Sequence, residues 1–133
     1  MPIPAADNAL LFLWGVNSMT PQALEVLHAW GFEYVTNFAW CKDKFGLGQY
    51  NRCQHELLHL GRRGAFSPPP PGRRRSSVID GRRGRHSEKP ASVHELIESM
   101  YPHASKIELF ARGRPRPGWS AWGNQCELEE ATP

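Results

Sequence analysis

The chain lacks several features that would place it in a specialised class of protein. It has three cysteines in 133 residues, an odd and widely spaced set, which argues against a disulfide-stapled secreted domain. We therefore expect a reducing, cytoplasmic location. The longest apolar run, residues 9–14, is far shorter than the roughly 20 residues of a membrane helix. The start, Met1-Pro-Ile-Pro, has neither the basic residues nor the apolar core of a secretory signal.

Acidic residues are scarce in one segment, where basic residues are concentrated. Residues 62–89 hold nine basic and two acidic side chains, a local net charge of +7, whereas the whole chain carries +3. Clustered arginine and lysine gain affinity for nucleic acids by releasing phosphate counterions. A solvated loop that binds nothing is the alternative interpretation. The arginines predicted to contact nucleic acid are Arg62, Arg63, Arg73, Arg74, Arg75, Arg82, Arg83 and Arg85.

Hydrophobic patterning predicts alternating strands and helices in the first half of the chain. The apolar run at 9–14 is typical of a strand buried on both faces, and residues 20–30 are typical of a helix with Thr20 as its N-cap. Alternation predicts a strand over 32–41, with Tyr34 on the same side as Phe38, and a returning strand over 54–60. Residues 62–86 contain four consecutive prolines and almost no apolar side chains, so we predict a long disordered basic loop.

The second half continues the alternation of elements. Ser92-Val-His-Glu95 has the pattern of a capping box that opens a helix, and this helix ends before Pro102. Residues 106–110 and 119–125 follow as short strand-like segments. The order of elements predicts an α/β fold with a mostly parallel sheet, in one partial domain spanning residues 1–133, with a tail at 127–133.

The sequence also contains a pattern found in zinc peptidases. His55-Glu56-Leu57-Leu58-His59 matches H-E-x-x-H, in which two histidines on one helix face bind zinc and the glutamate acts as general base. Glycines bracket the segment closely, and in a strand the two histidines would stand about 13 Å apart. A structural zinc site of Cys41, Cys53 and both histidines has no recognised ligand spacing. We therefore predict no metal site and treat a zinc-dependent hydrolase as the least favoured function.

Several collinear stretches together resemble the MT-A70 family of adenine N6-methyltransferases. They span roughly residues 5–126 and include Asn37-Phe-Ala-Trp-Cys-Lys42, Gly46-Leu-Gly, Lys89-Pro90 and Trp119-x-x-x-Gly-Asn-Gln125. The resemblance implies a Rossmann-like class I methyltransferase sheet and S-adenosyl-L-methionine as cofactor. It also implies a nucleic-acid substrate, for which we expect DNA, with RNA as the alternative.

The resemblance further implies which side chains bind the cofactor. Lys89 would contact the methionine carboxylate, and Arg112 the ribose or the carboxylate. Arg114 stands where family members carry another polar residue, and Asn124 with Gln125 match a pair that contacts the cofactor. A lysine directly before a helix start is physically suited to an anion, because the ammonium and the free N–H groups of the helix face it together.

One departure from the family pattern is large. The Asp-Pro-Pro-Trp loop that binds the target adenine in the family does not occur in these 133 residues, so the resemblance implies no catalytic residue here. We expect the C-terminal, cofactor-binding portion of a methyltransferase, with an incomplete sheet. Such a portion would have marginal stability alone or would associate with a partner chain. The alternative function is a non-catalytic, nucleic-acid-binding methyltransferase-like subunit.

Overall fold

The computed structural model divides the chain into two compact units, residues 1–100 and 101–133. It describes residues 6–44, 46–80, 90, 92–109 and 116–122. The two units are described separately below.

A four-stranded sheet forms the centre of the first unit. Its strands are β1 (Ala9–Gly15), β2 (Glu33–Cys41), β3 (His55–Arg63) and β4 (Val78–Asp80). They lie in the order β1-β3-β2-β4, with β3 antiparallel to both of its neighbours and β4 parallel to β2. Because β1 and β2 both oppose β3, they run in the same direction. The expectation of a mostly parallel sheet is wrong for the described residues, since β3 returns between the two parallel strands.

Helix α1 (Thr20–Ala29) connects β1 to β2 and follows a short 3-10 turn at Asn17–Met19. Thr20 is the first helical residue and Met19 takes the cap position without a side-chain hydrogen bond, so the predicted Thr20 cap is not formed. Pro21, which has no N–H to satisfy, fits the first turn. The helix ends before Gly31, which adopts the predicted left-handed conformation at φ 87°.

A bulge in β2 alters the predicted alternation. The register with β3 shifts between Tyr34, which opposes Gly61, and Thr36, which opposes Leu60. Tyr34 therefore lies on the opposite face of the sheet from Thr36 and Phe38. The prediction that Tyr34 lies on the same side as Phe38 is therefore wrong. The extra residue in the bulge reverses the face of the sheet to which the preceding residues of β2 point.

The two faces of the sheet are packed differently. On one face, the Leu27 side chain of α1 lies so close to Gly61 that a Cβ there would be 2.9 Å from Leu27 Cδ1. On the other face, aromatic rings of β1 and β2 meet across β3: Phe12 with Phe38, centroids 6.3 Å apart, and Trp14 with Trp40, centroids 5.8 Å apart and edge-on. Both faces of β3 are therefore buried.

The predicted disordered loop is structured over the part that the structure describes. Strand β3 continues to Arg63, a 3-10 turn spans Pro71–Arg73, and β4 pairs with β2 through Ile79 opposite Trp40. Ile79 is buried, so a single apolar side chain fixes this short strand to the core. The prediction of disorder is wrong for residues 62–80, and residues 81–86 lie outside the described residues.

Helix α2 (Ser92–Met100) begins where the capping box predicted a helix. Val93 and Met100 are buried, at either end of the same helix. The Ser92 hydroxyl, however, is buried without a hydrogen-bond partner among the described residues. The predicted capping hydrogen bond of Ser92 is therefore absent.

The second unit contains a pair of parallel strands. These are β5 (Lys106–Leu109) and β6 (Trp119–Trp122), with Lys106 opposite Trp119 and Leu109 opposite Trp122. Both strands lie where the sequence predicted strand-like segments. Phe110 and residues 123–125, which the predicted segments included, are outside the described residues.

The contact between α1 and β3 predicts how two glycine substitutions differ. Gly61→Ala places a methyl group against Leu27 and Phe32, and we expect it to lower the free energy of unfolding by about 1–3 kcal/mol. At Gly72 a new Cβ meets nothing within 4 Å, so Gly72→Ala changes the stability by less than about 0.5 kcal/mol. Urea unfolding of both variants measures the difference. Equal midpoints for the two would contradict the packing described.

Candidate functional site at the carboxyl edge of the sheet

Three strands of the first unit end at one edge of the sheet. The parallel strands β1, β2 and β4 end at Gly15, Cys41 and Asp80, and β3 begins beside them at His55. We call this the carboxyl edge. Open α/β sheets bind their ligands outside the carboxyl ends of their parallel strands, so this is the edge at which a functional site is expected.

A hairpin connects β2 to β3 beyond the carboxyl edge. Two hydrogen bonds join Lys42 and Gln54 at its base: Lys42 N–H donates to the Gln54 carbonyl at 2.8 Å, and Gln54 Nε2 donates to the Lys42 carbonyl at 2.9 Å. Further out, Gly46 N–H donates to the Cys53 carbonyl at 2.6 Å, and Arg52 Nε donates to the Gly46 carbonyl at 3.1 Å. These four hydrogen bonds therefore stabilise the hairpin where it extends beyond the carboxyl edge.

An ion pair lies at the base of this hairpin. Lys42 Nζ is 2.8 Å from Glu56 Oε2, and the Glu56 residue is only 5% exposed. The same ammonium lies 5.4 Å from the centre of the Trp40 ring, whose face attracts a cation. No role was predicted for Lys42 from the sequence, where the available signal was a lysine directly after the strand end and two residues from Trp40.

The H-E-x-x-H residues lie on a strand, as the pattern over residues 54–60 predicted. Alternation in β3 places His55 and His59 on one face and Glu56 on the other, where it pairs with Lys42. Cys41 is opposite His55, and Cys53 Sγ donates to the His55 carbonyl at 3.3 Å. Among the residues that the structure describes, no three His, Cys, Asp or Glu side chains come together as a metal site.

His59 is buried beneath α1 at the centre of the sheet. It is 1% exposed, and neither ring nitrogen has a hydrogen-bond partner among the described residues. Its ring meets the Tyr34 ring edge-on, with centroids 6.2 Å apart, and its Nε2 lies beside Gly15. Burial lowers the pKa of His59 below its usual value of 6.5, because an imidazolium cannot be solvated there.

The arginines predicted to contact nucleic acid fall at two places in the described part. Arg62 and Arg63 end β3 at the edge opposite the carboxyl edge, about 23 Å along the strand from His55. Arg62 is exposed, and the Arg63 guanidinium lies 5.7 Å from the centre of the Phe32 ring. Arg82, Arg83 and Arg85 lie outside the described residues.

The other arginines of this set that the structure describes are residues 73–75, two of which contact the C-terminal end of α2. Arg73 Nη1 donates to the Ser99 carbonyl at 3.1 Å, Arg75 Nε donates to Ser99 Oγ at 3.2 Å, and Arg74 Nε donates to the Pro69 carbonyl at 3.1 Å. A cation is favourable at the last carbonyls of a helix. Arg73 and Arg75 therefore hold their segment against α2, and Arg74 braces the segment itself, roles that the sequence did not predict.

The predicted cofactor ligands all lie outside the described residues. They are Lys89, Arg112, Arg114, Asn124 and Gln125. Beside Lys89, however, Pro90 is buried, and its carbonyl accepts a hydrogen bond from Val93 N–H at 3.2 Å. The first turn of α2, with its unpartnered Ser92 hydroxyl, thus follows Lys89 by three residues.

The same chain aligns with a known family over nearly its whole length. A family model described as MT-A70 matches residues 1–125. The chain belongs to the MT-A70 family. The resemblance identified in the sequence is therefore confirmed, and this MT-A70 chain belongs to a family of methyltransferases.

Curated relatives of this MT-A70 chain come from bacteria, animals and plants. The type II methyltransferase M.MunI of Mycoplasma sp is 36% identical over 124 residues, covering 92% of this chain and 53% of that protein. The human N(6)-adenosine-methyltransferase catalytic subunit METTL3 is 31% identical over 135 residues, covering 91% of this chain and 22% of METTL3. The chain thus spans about half of the first relative and about a fifth of the second.

None of the helices in the described part of this MT-A70 chain is long and apolar enough to cross a membrane.

The Lys42–Glu56 pair predicts a clear response to removal of one charge. Glu56→Gln leaves the ammonium without its counter-charge, and we expect a loss of about 2–3 kcal/mol in the free energy of unfolding, since Lys42 keeps part of its solvent. Adding Lys42→Met should restore part of that loss. Urea unfolding with and without EDTA provides the measurement. A chelator that destabilised the wild-type chain would instead favour a metal at this motif.

Burial of His59 predicts a loss of stability in mild acid. The pKa of His59 is lower in the folded chain than in the unfolded chain, so the unfolded chain binds more protons once the pH falls below about 6.5. The neutral His59 ring contributes its full stability above that pH. This contribution is lost as the pH falls towards the pKa that His59 has in the folded chain. His59→Leu should flatten the pH dependence of the urea midpoint between about pH 7 and 5. His28→Gln, at an exposed histidine of α1, should leave it unchanged.

Proposed function

We propose that the chain forms the donor-binding portion of an S-adenosyl-L-methionine-dependent adenine N6-methyltransferase. The family match over residues 1–125 supports the reaction class. The observation that carries the assignment of the cofactor site is the first turn of α2, where the buried Ser92 hydroxyl has no partner among the described residues. We expect this portion to act in a cytoplasmic protein.

The residues around the start of α2 fit the carboxylate of the cofactor. The first N–H groups of a helix lack partners within the helix, and the helix dipole favours an anion there. At α2 one of these groups, Val93 N–H, already donates to the Pro90 carbonyl. A buried hydroxyl without a hydrogen bond costs free energy, and a bound carboxylate would accept one from Ser92. Lys89 precedes this turn and would add a charge-assisted hydrogen bond.

The remaining cofactor contacts are assigned by the family pattern. Arg112 and Arg114 would bind the ribose or the carboxylate, and the amides of Asn124 and Gln125 would donate to and accept from the polar edges of the cofactor. When bound, S-adenosyl-L-methionine supplies a methyl group on a sulfonium to the exocyclic amine of adenine. The chain's own residues would hold and orient this donor.

The open edge of β1 supports an incomplete Rossmann-like sheet. In the described part, β1 is the outermost strand of its sheet beside β3, and its seven residues are half-buried. A further strand, from a longer chain or a partner, could pair with its outer edge. The parallel strands β1 and β2, joined through α1, are the βαβ unit on which such a sheet is built.

A nucleic acid is the proposed substrate, with DNA preferred and RNA as the alternative. Exposed Arg62, Arg73, Arg74 and Arg75 would contact phosphates, which position a nucleic acid without reading its sequence. A non-catalytic binding subunit is the second candidate, since the exposed arginines need only contact phosphates for that role. Transfer of a labelled methyl group to unmethylated DNA or RNA by the chain distinguishes the two functions.

Cofactor binding tests the proposed site directly. Titration calorimetry should show binding of S-adenosyl-L-methionine to the wild-type chain. Lys89→Ala should weaken that binding about 10- to 100-fold, because a charge-assisted hydrogen bond is lost, and Ser92→Ala should weaken it several-fold. Ser92→Ala should cost little stability, since its hydroxyl has no partner to lose.

Ser99→Ala is the matched control at the other end of α2. The Ser99 hydroxyl bonds the Leu96 carbonyl and accepts from Arg75, so this variant should lower stability and leave cofactor affinity unchanged. A wild-type chain that binds neither S-adenosyl-L-methionine nor its demethylated product would overturn the proposed function. Equal affinity of the Ser92 and Ser99 variants would overturn the role of the α2 start alone.

A further inference from the structure

Two large apolar side chains are fully presented to solvent at the end of the β2–β3 hairpin. Tyr50 is completely exposed and Leu47 is 89% exposed, the two highest values among the exposed large apolar residues of the described part. We call residues 46–51 the hairpin tip. A single exposed leucine is ordinary on a protein surface, but an aromatic and an aliphatic side chain on one turn form a small apolar projection.

The hairpin tip is held in place by hydrogen bonds at its base. The Gly46–Cys53 and Arg52–Gly46 bonds, at 2.6 and 3.1 Å, brace the tip, and the paired bonds of Lys42 and Gln54 brace the stem. Holding exposed side chains on a braced turn lowers the entropy lost when they bind a ligand. The tip is therefore preorganised to contact a partner.

Charge around the hairpin tip favours a polyanion. Lys44 and Arg52 are exposed on either side of the tip, and Asp43 is the one acidic residue between β2 and β3. Lys42 adds little to this charge, because Glu56 lies 2.8 Å from its ammonium. Arg52 is exposed and also donates from Nε to the Gly46 carbonyl. The result is an apolar end with the Lys44 ammonium on one side and the Arg52 guanidinium on the other.

The size of the hairpin tip separates two kinds of partner. A stable protein–protein interface buries more than roughly 1,000 Å², and its centre is depleted of charged residues. Two side chains between cations present far less apolar surface than that. A nucleic acid can be bound through an apolar surface of this small size. Apolar or aromatic side chains insert between bases or stack on them, while cations face the neighbouring phosphates.

We propose that the hairpin tip inserts into the base stack of a nucleic acid. Tyr50 and Leu47 contact the faces of unstacked bases, and Lys44 and Arg52 face the flanking phosphates. This inference rests on the proposed function, since it assigns to the hairpin tip the unstacking of bases in a nucleic acid bound beside the carboxyl edge. Chemistry on an adenine amine requires the base to leave the stack, and an inserted side chain fills the space that it vacates.

Fluorescence titration with oligonucleotides that carry 2-aminopurine tests the proposal. The wild-type chain should bind duplex DNA, single-stranded DNA or RNA and raise the 2-aminopurine signal as the base unstacks; the three probes show which nucleic acid is preferred. Tyr50→Ala and Leu47→Ala should each weaken binding about tenfold and remove most of the signal. Tyr50→Phe keeps the ring and should retain both. Lys44→Gln should reduce the slope of log affinity against log salt by about one.

Val26→Ala is the matched control, because Val26 is an exposed apolar residue on α1, away from the hairpin. It should leave affinity and signal unchanged, and unchanged urea midpoints should confirm that all variants fold. If the wild-type chain binds nucleic acid and Tyr50→Ala binds equally well with the same signal, the inference is wrong while the proposed function stands. If Tyr50→Ala alters only self-association, the tip contacts protein and the inference is also wrong. A wild-type chain that binds no oligonucleotide overturns the proposed nucleic-acid substrate and the inference together.

Discussion

The central position of β3 is the constraint on which the first unit depends. This strand hydrogen-bonds to β1 on one side and β2 on the other, so both of its edges and both of its faces are enclosed. On one face it presents Gly61 to Leu27, where a methyl group would not fit. On the other it presents Leu58 and Leu60 beneath the aromatic rings of its neighbours. The two buried polar side chains of β3, Glu56 and His59, must therefore be either paired or neutral.

The polar residues of β3 meet that constraint in two ways. Glu56 is paired, because Lys42 at the base of the hairpin places its Nζ 2.8 Å from Glu56 Oε2. His59 has no such partner, and its lowered pKa reflects burial that favours the neutral ring. The residues of the H-E-x-x-H pattern lie on a strand, which places Glu56 on the opposite face from both histidines and separates His55 from His59 by about 13 Å.

The sequence predicted the elements better than it predicted their arrangement. The apolar run of β1 and the proline-started α1 are local signals, and both were found within a residue or two. The return of β3 against β2 was predicted, because the two strands follow each other along the chain, and the structure confirms it. The pairing of β3 with β1 and the reversed facing of Tyr34 depend on contacts that local patterns do not encode. β4 was missed because one buried residue, Ile79, carries it. In the candidate site, the family pattern supplied Lys89, whereas the unpartnered Ser92 hydroxyl and the Lys42–Glu56 pair required coordinates.

The hydrogen bonds of Arg73 and Arg75 have a consequence for how the basic segment responds to its surroundings. Both guanidinium groups donate to uncharged oxygens of Ser99. Mobile ions screen attraction between opposite charges far more than they weaken a bond to a neutral acceptor. Contacts with phosphates would weaken as ionic strength rises, while the attachment of this segment to α2 would persist. Arg73 and Arg75 therefore stay attached to α2 over the range of ionic strength in which the proposed phosphate contacts would weaken.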